Sequence, residues 1–367
     1  MKFQILDITN LSMLKTLIIY AAKKIYLNAL SISAWICFLV VFNPIYAQQH
    51  KPLSITEENI TVLPDALGNV IPDFSYAGYK GGDSEIPFIA AKVSVSHIKE
   101  DATNLIQYAI DYVSKLPKDT NGFRGAIQLS KGTYNVSGTL KLHTSGVVLR
   151  GAGLQDDGTV ILGTGKSRNT LIEVVGGNNK VIENKLTIND NYVPVGSKKL
   201  IVEHNQTIKV GDHITITRPS SKEWIEKLGT DHFGGGITSI GWKPGQRDIN
   251  WDRVVTAVNG NEILIDAPLT NAIEKEYSES YVSLYKWEDR VEQIGVENVK
   301  LVSSYDSSNS KDEDHRWMAI SVNNAKDIWI RRIAFHHFAG SAVFLLSSSQ
   351  RVTVEDCISL EPISEIG

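Results

Sequence analysis

Between Gly125 and Gly153 the chain is built from apolar, β-forming runs of only a few residues, each cut short. The runs are Ala126-Ile127-Gln128-Leu129, Gly132-Thr133-Tyr134-Asn135-Val136, Leu140-Lys141-Leu142 and Val147-Val148-Leu149-Arg150, closed by Gly151-Ala152-Gly153. Inward apolar residues alternate along them, and glycines recur at close intervals, which is how a strand reads when it turns a corner after a few residues. The pattern predicts a coil rather than a sheet of hairpins.

A second signal is internal repetition. The run Ile294-Gly295-Val296-Glu297-Asn298-Val299-Lys300-Leu301 matches Ile328-Trp329-Ile330-Arg331-Arg332-Ile333-Ala334-Phe335, which in turn matches Val352-Thr353-Val354-Glu355-Asp356-Cys357-Ile358-Ser359. The offsets are 34 and then 24, so one solenoid turn takes about 24 residues and the first carries an added loop, placed in Ser303 to Arg316. Asn298, Arg332 and Asp356 share one coil position, where stacked asparagines satisfy turn backbone in such solenoids, and Arg332 breaks that ladder. Counting back 24 from Ala342, Phe344 and Leu346 predicts Met318, Ile320 and Val322 as inward residues, with Ala319, Ser321, Val343 and Leu345 outward. Arg331 and Glu355 read as outward groups that pair across coils.

Elsewhere the pattern changes. Asp101 can cap a helix whose face carries Leu105, Ile106, Ala109, Ile110, Val113 and Leu116, ended by Pro117, and such a helix would cover the open end of the solenoid. From 193 to 287 the coil pattern gives way to strands, two of them joined across Asn259-Gly260-Asn261 as a tight hairpin. The expected organisation is a leader over 1–47, a cap and first coils over 48–192, a β-rich insertion over 193–287 and further coils over 288–367.

The run Leu129, Gly132-Thr133-Tyr134-Asn135-Val136 leading into Leu149-Arg150-Gly151-Ala152-Gly153 resembles the opening coils of the pectate-lyase-like superfamily. Asp73-Phe74-Ser75-Tyr76-Ala77-Gly78-Tyr79 resembles the entry segment of β-helix proteins in that superfamily. The resemblance implies an all-β, right-handed parallel β-helix, a fold used mostly on polysaccharides. Fold alone does not fix the reaction.

The first residues read as an export signal. Lys15, Lys23 and Lys24 precede an apolar run from Ala29 to Phe42, and Ile45-Tyr46-Ala47 offers a small-residue cleavage site before Gln48, with Met13 as an alternative start. The run is short for a membrane span of about 20 residues. Removing residues 1–47 deletes four lysines and one aspartate and moves the formal net charge from −4 to −7. The expected location is secreted or periplasmic, with the cell surface as a further place and no membrane contact after processing. A mildly acidic exported chain has no electrostatic footprint for nucleic acid. Cys37 lies in the leader, so Cys357 stands alone and no internal disulfide is expected. No Walker loop, dinucleotide fingerprint, His-Glu-x-x-His or Cys-x-x-Cys pair occurs, which argues against nucleotide and zinc-protease chemistry. The chain stops at Ser364-Glu365-Ile366-Gly367 in mid-coil without the polar cap a solenoid needs, so further coils are expected.

Ionisable chemistry falls in the turns. The 24-residue offset places Asp312 beside His336, and Glu313 beside His337 and Glu361, with neighbouring coils about 4.8 Å apart. Asp314, His315 and Arg316 follow in the same turn. In a β-elimination on a uronate, one group takes the C5 proton and another neutralises the carboxylate. His336 or His337 fits the first role, and Arg316, or Ca²⁺ held by Asp312, Glu313 and Asp314, fits the second. In a hydrolase of the polygalacturonase kind, Asp312 or Asp314 with Glu361 would serve as acid and base. Trp224, Trp242 and Trp251 fall in or beside the insertion loop and, with His315, are candidates for contact with sugar rings. Asp231-His232 and Trp251-Asp252-Arg253 add polar groups, so the insertion is expected to form one wall of a carbohydrate groove. The acidic loop also reads as solvated surface, the histidine pair as turn residues and the tryptophans as core. A polysaccharide lyase leads; a glycoside hydrolase and a non-catalytic glycan-binding solenoid stand as alternatives.

Overall fold

The computed structural model describes residues 19–20, 23, 53–56, 60–232, 241–346 and 348–365. The apolar run of the leader and its cleavage site at Ala47 lie outside these. No helix among the described residues is long and apolar enough to cross a membrane. The chain divides into two units, 1–63 and 64–367. Of the first, a small antiparallel hairpin pairs Leu53–Ile55 with Ile60–Val62.

The second unit contains a solenoid of three parallel sheets. The first stacks Ala91–Val95, Gly125–Leu129, Val147–Arg150, the leading half of Val291–Ser303, the leading half of Ala325–His336, and Gln350–Glu355. The second stacks Gly132–Val136, Thr159–Gly163, the trailing halves of the same two long strands, and Ile358–Leu360. The third stacks Leu140–Leu142, Ile172–Val175, Met318–Asn323 and Ser341–Leu345. Inward residues from all three fill one core, including Ile127, Leu149, Val296, Ile320, Ile330 and Phe335.

The repeat register holds across the first two sheets. Ile294 pairs with Ile328 and Ile328 with Val352, while Leu301 pairs with Phe335 and Phe335 with Ser359. The added loop lies between Ser303 and Met318 as expected. Asn298, Arg332 and Asp356 turn the corner between first and second sheets with φ of 55°, 53° and 52°. What repeats there is a left-handed backbone, not a ladder of asparagine side chains. Asn and Asp adopt it readily, whereas Arg332 pays a penalty of order 1 kcal/mol that the ladder on either side of it imposes. Gln293, Asp327 and Arg351 repeat the same conformation at the same offsets, five residues earlier.

The third sheet departs from the expected register. Ile320 pairs with Val343 and Val322 with Leu345, an offset of 23, because the turn after Leu345 carries the extra residue that restores 24. A one-residue shift exchanges the faces of a strand. Phe344 therefore stands beside Ser321 and is 42% exposed. Ala319, expected outside, is fully buried in the same core as Ile320 and Val322.

The helix Thr103–Ser114 (α1) buries Ile106, Ala109, Ile110 and Val113 in the solenoid core beside the first coils. Leu105 faces solvent and Ala102 takes its place inside. Ala102, not Asp101, is the capping residue; Asp101 accepts from the Thr103 amide at 3.0 Å and hydroxyl at 2.6 Å.

Six antiparallel strands form the main sheet of the insertion, ordered Val181–Thr187, Tyr281–Lys286, His213–Arg218, Ile249–Asn259, Glu262–Ile265 and Lys199–Ile201. They enclose a separate core of Ile214, Ile216, Val255, Ile263, Val282 and neighbours. Asn259 faces Glu262 across the expected hairpin. The antiparallel strands begin at Val181 rather than 193. That first strand lies at the sheet edge with Val181 and Ile182 exposed, so its residues carry no inward–outward alternation to separate it from a coil.

The outer face of the first sheet is also covered. Arg150, Glu297, Arg331 and Glu355 stack in register across four coils. The Glu297 carboxylate is 1% exposed and accepts from Arg150 Nε at 2.6 Å, Arg331 Nε at 2.7 Å and Trp329 Nε1 at 3.0 Å. Arg331 thus pairs with Glu297 rather than Glu355. Trp329 lies flat over Gly295, where a Cβ would come within 2.2 Å of the indole. Tyr79 and Phe123 pack edge-on against the same ring. The lead segment Asp73 to Tyr79 is the strap that delivers Tyr79. Gly78 turns with φ +86°, the Tyr79 amide donates to Thr353 Oγ1 at 2.8 Å, and the Lys80 amide donates to Asp327 at 3.0 Å.

Burial alone would raise the Glu297 pKa, but the bonds and charges of Arg150 and Arg331 outweigh it and hold the carboxyl below its ordinary range. A depressed carboxyl stabilises the fold fully above the unfolded value of about 4.3 and loses that contribution as pH falls through the folded value. Glu297→Ala should lower the unfolding free energy by about 3–5 kcal/mol, because it strands two guanidinium groups. Glu297→Gln should flatten the acid limb of stability against pH, and Glu355→Ala should change stability by less than about 0.5 kcal/mol. Chemical denaturation at a series of pH values measures all three.

Candidate functional site

The residues expected to carry chemistry do not share one place. The loop between Ser303 and Met318 breaks the 24-residue offset, so Val302, not Asp312, lies in register with His336. His337 Nε2 and Glu361 Oε2 do meet, at 3.2 Å, with His336 Nδ1 at 4.0 Å from the same oxygen. Burial, then Lys300 and His337, push the His336 pKa down. Asp312 and Glu313 are not in this group. Asp312 folds its own loop, its two oxygens accepting from the Asp306 and Asp314 amides at 2.9 and 3.0 Å. Glu313 pairs with Arg168 at 3.3 Å and accepts from Ser364 at 2.8 Å, and Asp314 is exposed. The three carboxylates expected to hold Ca²⁺ therefore do not converge, and the one cluster of three such ligands within reach of one ion among the described residues is His336, His337 and Glu361.

His315 and Arg316, each 1% exposed, are loop anchors rather than surface groups. His315 Nε2 lies 3.1 Å from the Asp312 carbonyl and 3.0 Å from that of Ile363, so this nitrogen carries the proton; Nδ1 lies 2.8 Å from Ser303 Oγ. Arg316 donates to the carbonyls of Ser137 and Gly138, and burial pushes its pKa down. Neither reaches a polymer in solvent. Among the tryptophans, Trp251 belongs to the insertion core and donates to Thr270 at 3.0 Å. Trp224 and Trp242 stack on each other at 5.9 Å, with Arg218 over the first and Arg247 over the second, so their faces are largely occupied. Residues 233–240 of that loop lie outside the described residues. Asp231 and His232 are exposed and pair at 3.2 Å.

A groove of about 780 Å³ lies where the insertion sheet meets the solenoid. Thr215 and Thr217, Asn250 and Asp252, and Tyr281 and Ser283 come from three adjacent insertion strands, whose alternation aims these side chains to one face. Lys180, at the entry to the insertion, and Trp287 and Arg290, at its exit, stand together because both ends of the insertion return to one point of the coil. Ser348, Ser349 and Gln350, from a solenoid turn, close the other side. Arg290 donates to Asp252 at 2.6 Å and to the Ser348 carbonyl at 3.2 Å, and Gln350 donates to the Asp252 carbonyl at 3.1 Å. These bonds tie sheet and solenoid into one wall.

The electrostatics of the groove are uneven. Lys180 sits 4.0 Å over the Tyr285 ring and donates to Thr215 at 2.9 Å; burial, reinforced by Arg290, pushes its ammonium pKa down against the pull of Asp252. Burial and the Asp252 carboxylate push the Tyr285 phenol far up, so it stays protonated and donates to Asp252 at 2.6 Å. Trp287 is half-buried beneath Arg290 and Lys180. The insertion thus forms one wall of a groove, as expected, but through Asp252 and its neighbours. Arg253 lines it too, yet its guanidinium is spent on the carbonyls of Ala267, Pro268 and Asp252. Sequence reasoning missed Lys180, Tyr285, Trp287 and Arg290. The available signal was their position: Tyr285-Lys286-Trp287-Glu288-Asp289-Arg290 falls where the coil pattern resumes.

The fold and groove define the class, a parallel β-solenoid with an antiparallel β insertion. No protein-family model matches the chain. No curated protein matches it either. Among solved structures it is similar to the tailspike protein gp49 from Pseudomonas phage LKA1, at 13% identity and a TM-score of 0.38, over 65% of this chain and 32% of that one. It is similar also to the Gp54 tailspike of Acinetobacter baumannii bacteriophage AP22, in complex with A. baumannii capsular saccharide, at 10% identity and 0.30, over 70% and 44%. The Pseudomonas phage phi297 tailspike gp61 follows at 10% and 0.29, over 70% and 41%. The chain spans less than half the length of these proteins, and scores of this size carry no argument about activity.

Because His315 ties its loop to the Ile363 carbonyl, His315→Ala should lower stability by about 1–3 kcal/mol through the unpaired carbonyls it leaves. At a temperature where the variant is folded, its circular dichroism spectrum should equal that of the parent. Thermal melts with circular dichroism check this, and an unchanged melting temperature would overturn the anchoring role of His315.

Proposed function

We propose that this protein is an exported, polysaccharide-active β-helix of the pectate-lyase-like kind, which holds an acidic, uronate-containing glycan in the junction groove and cleaves it by β-elimination. The observation that carries the reading is the meeting, in one groove, of a lysine of lowered basicity, an arginine and a half-buried tryptophan. Trp287 lies beneath Arg290 and Lys180 and holds both cations at the groove by their contact with its ring. Arg290, 6% exposed and held by Asp252 and the Ser348 carbonyl, stands for the positive charge behind the groove wall that offsets the uronate carboxylate without touching it. Lys180 in its neutral form stands for the base that takes the C5 proton, a role that needs a pKa drawn toward working pH. The strong bias of parallel crossovers toward one hand supports a right-handed coil.

Hydrolysis fits the groove less well. Paired carboxylates of glycosidases stand about 5–9.5 Å apart. Asp248 and Asp252, the acidic residues lining the groove, are four residues apart along one extended segment, about 13 Å by strand rise. Both are engaged, Asp248 with Ser220 and Asp252 with Tyr285 and Arg290. The histidine pair does not join the groove. It ends the strand that begins at Ala325, beside Arg290 and Gln350, and ten strand residues separate the two by about 20 Å or more even with a corner between.

The protein incubated with acidic and neutral polysaccharides should raise ultraviolet absorbance together with reducing ends. Lys180→Ala should lower that rate by at least about 100-fold with an unchanged circular dichroism spectrum. The parent rate should climb with pH as Lys180 deprotonates. Reducing ends without absorbance would replace elimination by hydrolysis, and retention of glycan in affinity gels without shortening would leave a binding solenoid.

A further inference from the structure

Two neighbouring coils bring three metal-binding atoms together at the corner beyond the second sheet, far from the groove. His336 is the last residue of its strand, and His337 turns the corner with φ 66°. Glu361, 24 residues on, turns the same corner of the next coil with φ 51°. A left-handed backbone at the same place in both coils aims His337 and Glu361 in parallel, one above the other. This backbone is costly for Glu361 and better tolerated by His337. The His337 ring is packed against the edge of Tyr305 at 4.9 Å and lies edge-on to His336 at 5.8 Å.

We infer that His336, His337 and Glu361 form a binding site for a divalent transition-metal ion of the zinc class. One ligand atom from each falls within 4.8 Å of the others. Zinc bound at about 2.0–2.2 Å by nitrogen and oxygen in a tetrahedron spaces its ligands about 3.3–3.5 Å apart. His337 Nε2 and Glu361 Oε2 stand at 3.2 Å, and His336 Nδ1 stands at 4.0 Å from that oxygen. The Glu361 side chain is 72% exposed, so a small rotation closes the remaining gap without disturbing the core. Two imidazoles with one carboxylate select zinc, cobalt or nickel over calcium, which prefers six or more oxygens. The nearby Lys300 ammonium is countered by Asp156 at 2.6 Å. Three protein ligands leave a fourth position for water or for an oxygen of a bound partner.

The test uses the full chain, without an affinity tag and stripped with chelator, titrated with zinc chloride by calorimetry and with cobalt(II) by visible absorption. The expected result is one ion per chain and an intense tetrahedral cobalt spectrum. His337→Ala and Glu361→Gln should each weaken binding by more than the about 100-fold that loss of even a supporting residue costs. The melting curve of Glu361→Gln without metal should match the parent, since that side chain is 72% exposed. Lys180→Ala should bind metal normally, which separates this site from the groove. Absence of both heat and cobalt spectrum, or unchanged affinity in the double variant His337→Ala/Glu361→Gln, would overturn the assignment.

Discussion

The carboxylate of Glu297 is the point on which the solenoid depends. It lies on the outer face of the first sheet, where a β-coil ordinarily meets water, yet it is buried, bonded to arginines of the coils before and after it and to the indole of the second. A buried carboxylate is tolerable only when its partners are in place. Those partners come from either side of a long insertion, Arg150 before it and Arg331 after it. The bond from Arg150 to Glu297 therefore links the coils on the two sides. Trp329 seals the network from above, and the strap carrying Tyr79 seals Trp329, so the segment ahead of the first coil is part of the same structure.

The groove follows from that closure. Because the coil resumes in register against Val147–Arg150 of the coil that precedes the insertion, entry and exit of the insertion are adjacent, and Lys180, Trp287 and Arg290 are neighbours despite more than a hundred intervening residues. Arg290 then serves two ends: it orients Asp252 on the insertion and holds the turn at Ser348 on the solenoid. A site made this way is rigid where two β systems meet, which suits the holding of a polymer.

Much of the fold was legible in the sequence because it is periodic. Inward positions repeat at a fixed spacing, and the alignment of Ile294, Ile328 and Val352 anticipated the ladder itself. The corner at Asn298, Arg332 and Asp356 was legible as a position, though not as a left-handed backbone, since arginine gives no sign of it. Register failed where loops intervene. An offset of 24 carried through the loop after Ser303 put Asp312 beside His336, and carried into the third sheet it turned Phe344 inward; one extra residue undoes either inference, because side chains alternate with period two. His315 and Arg316 looked like site residues by charge, and only their burial shows them to be anchors.

By itself, then, the sequence determined the coil, its repeat, its helical cover and the presence of an antiparallel insertion, since each of these is written in local spacing and local turn chemistry. It also determined that His337 and Glu361 fall in one column, because they lie one repeat apart with no loop between. Only the tertiary structure decided which polar residues share a place. Lys180 meets Arg290, and Arg150 meets Glu297, across separations that no periodicity spans, because those contacts are set by where the insertion returns to the coil.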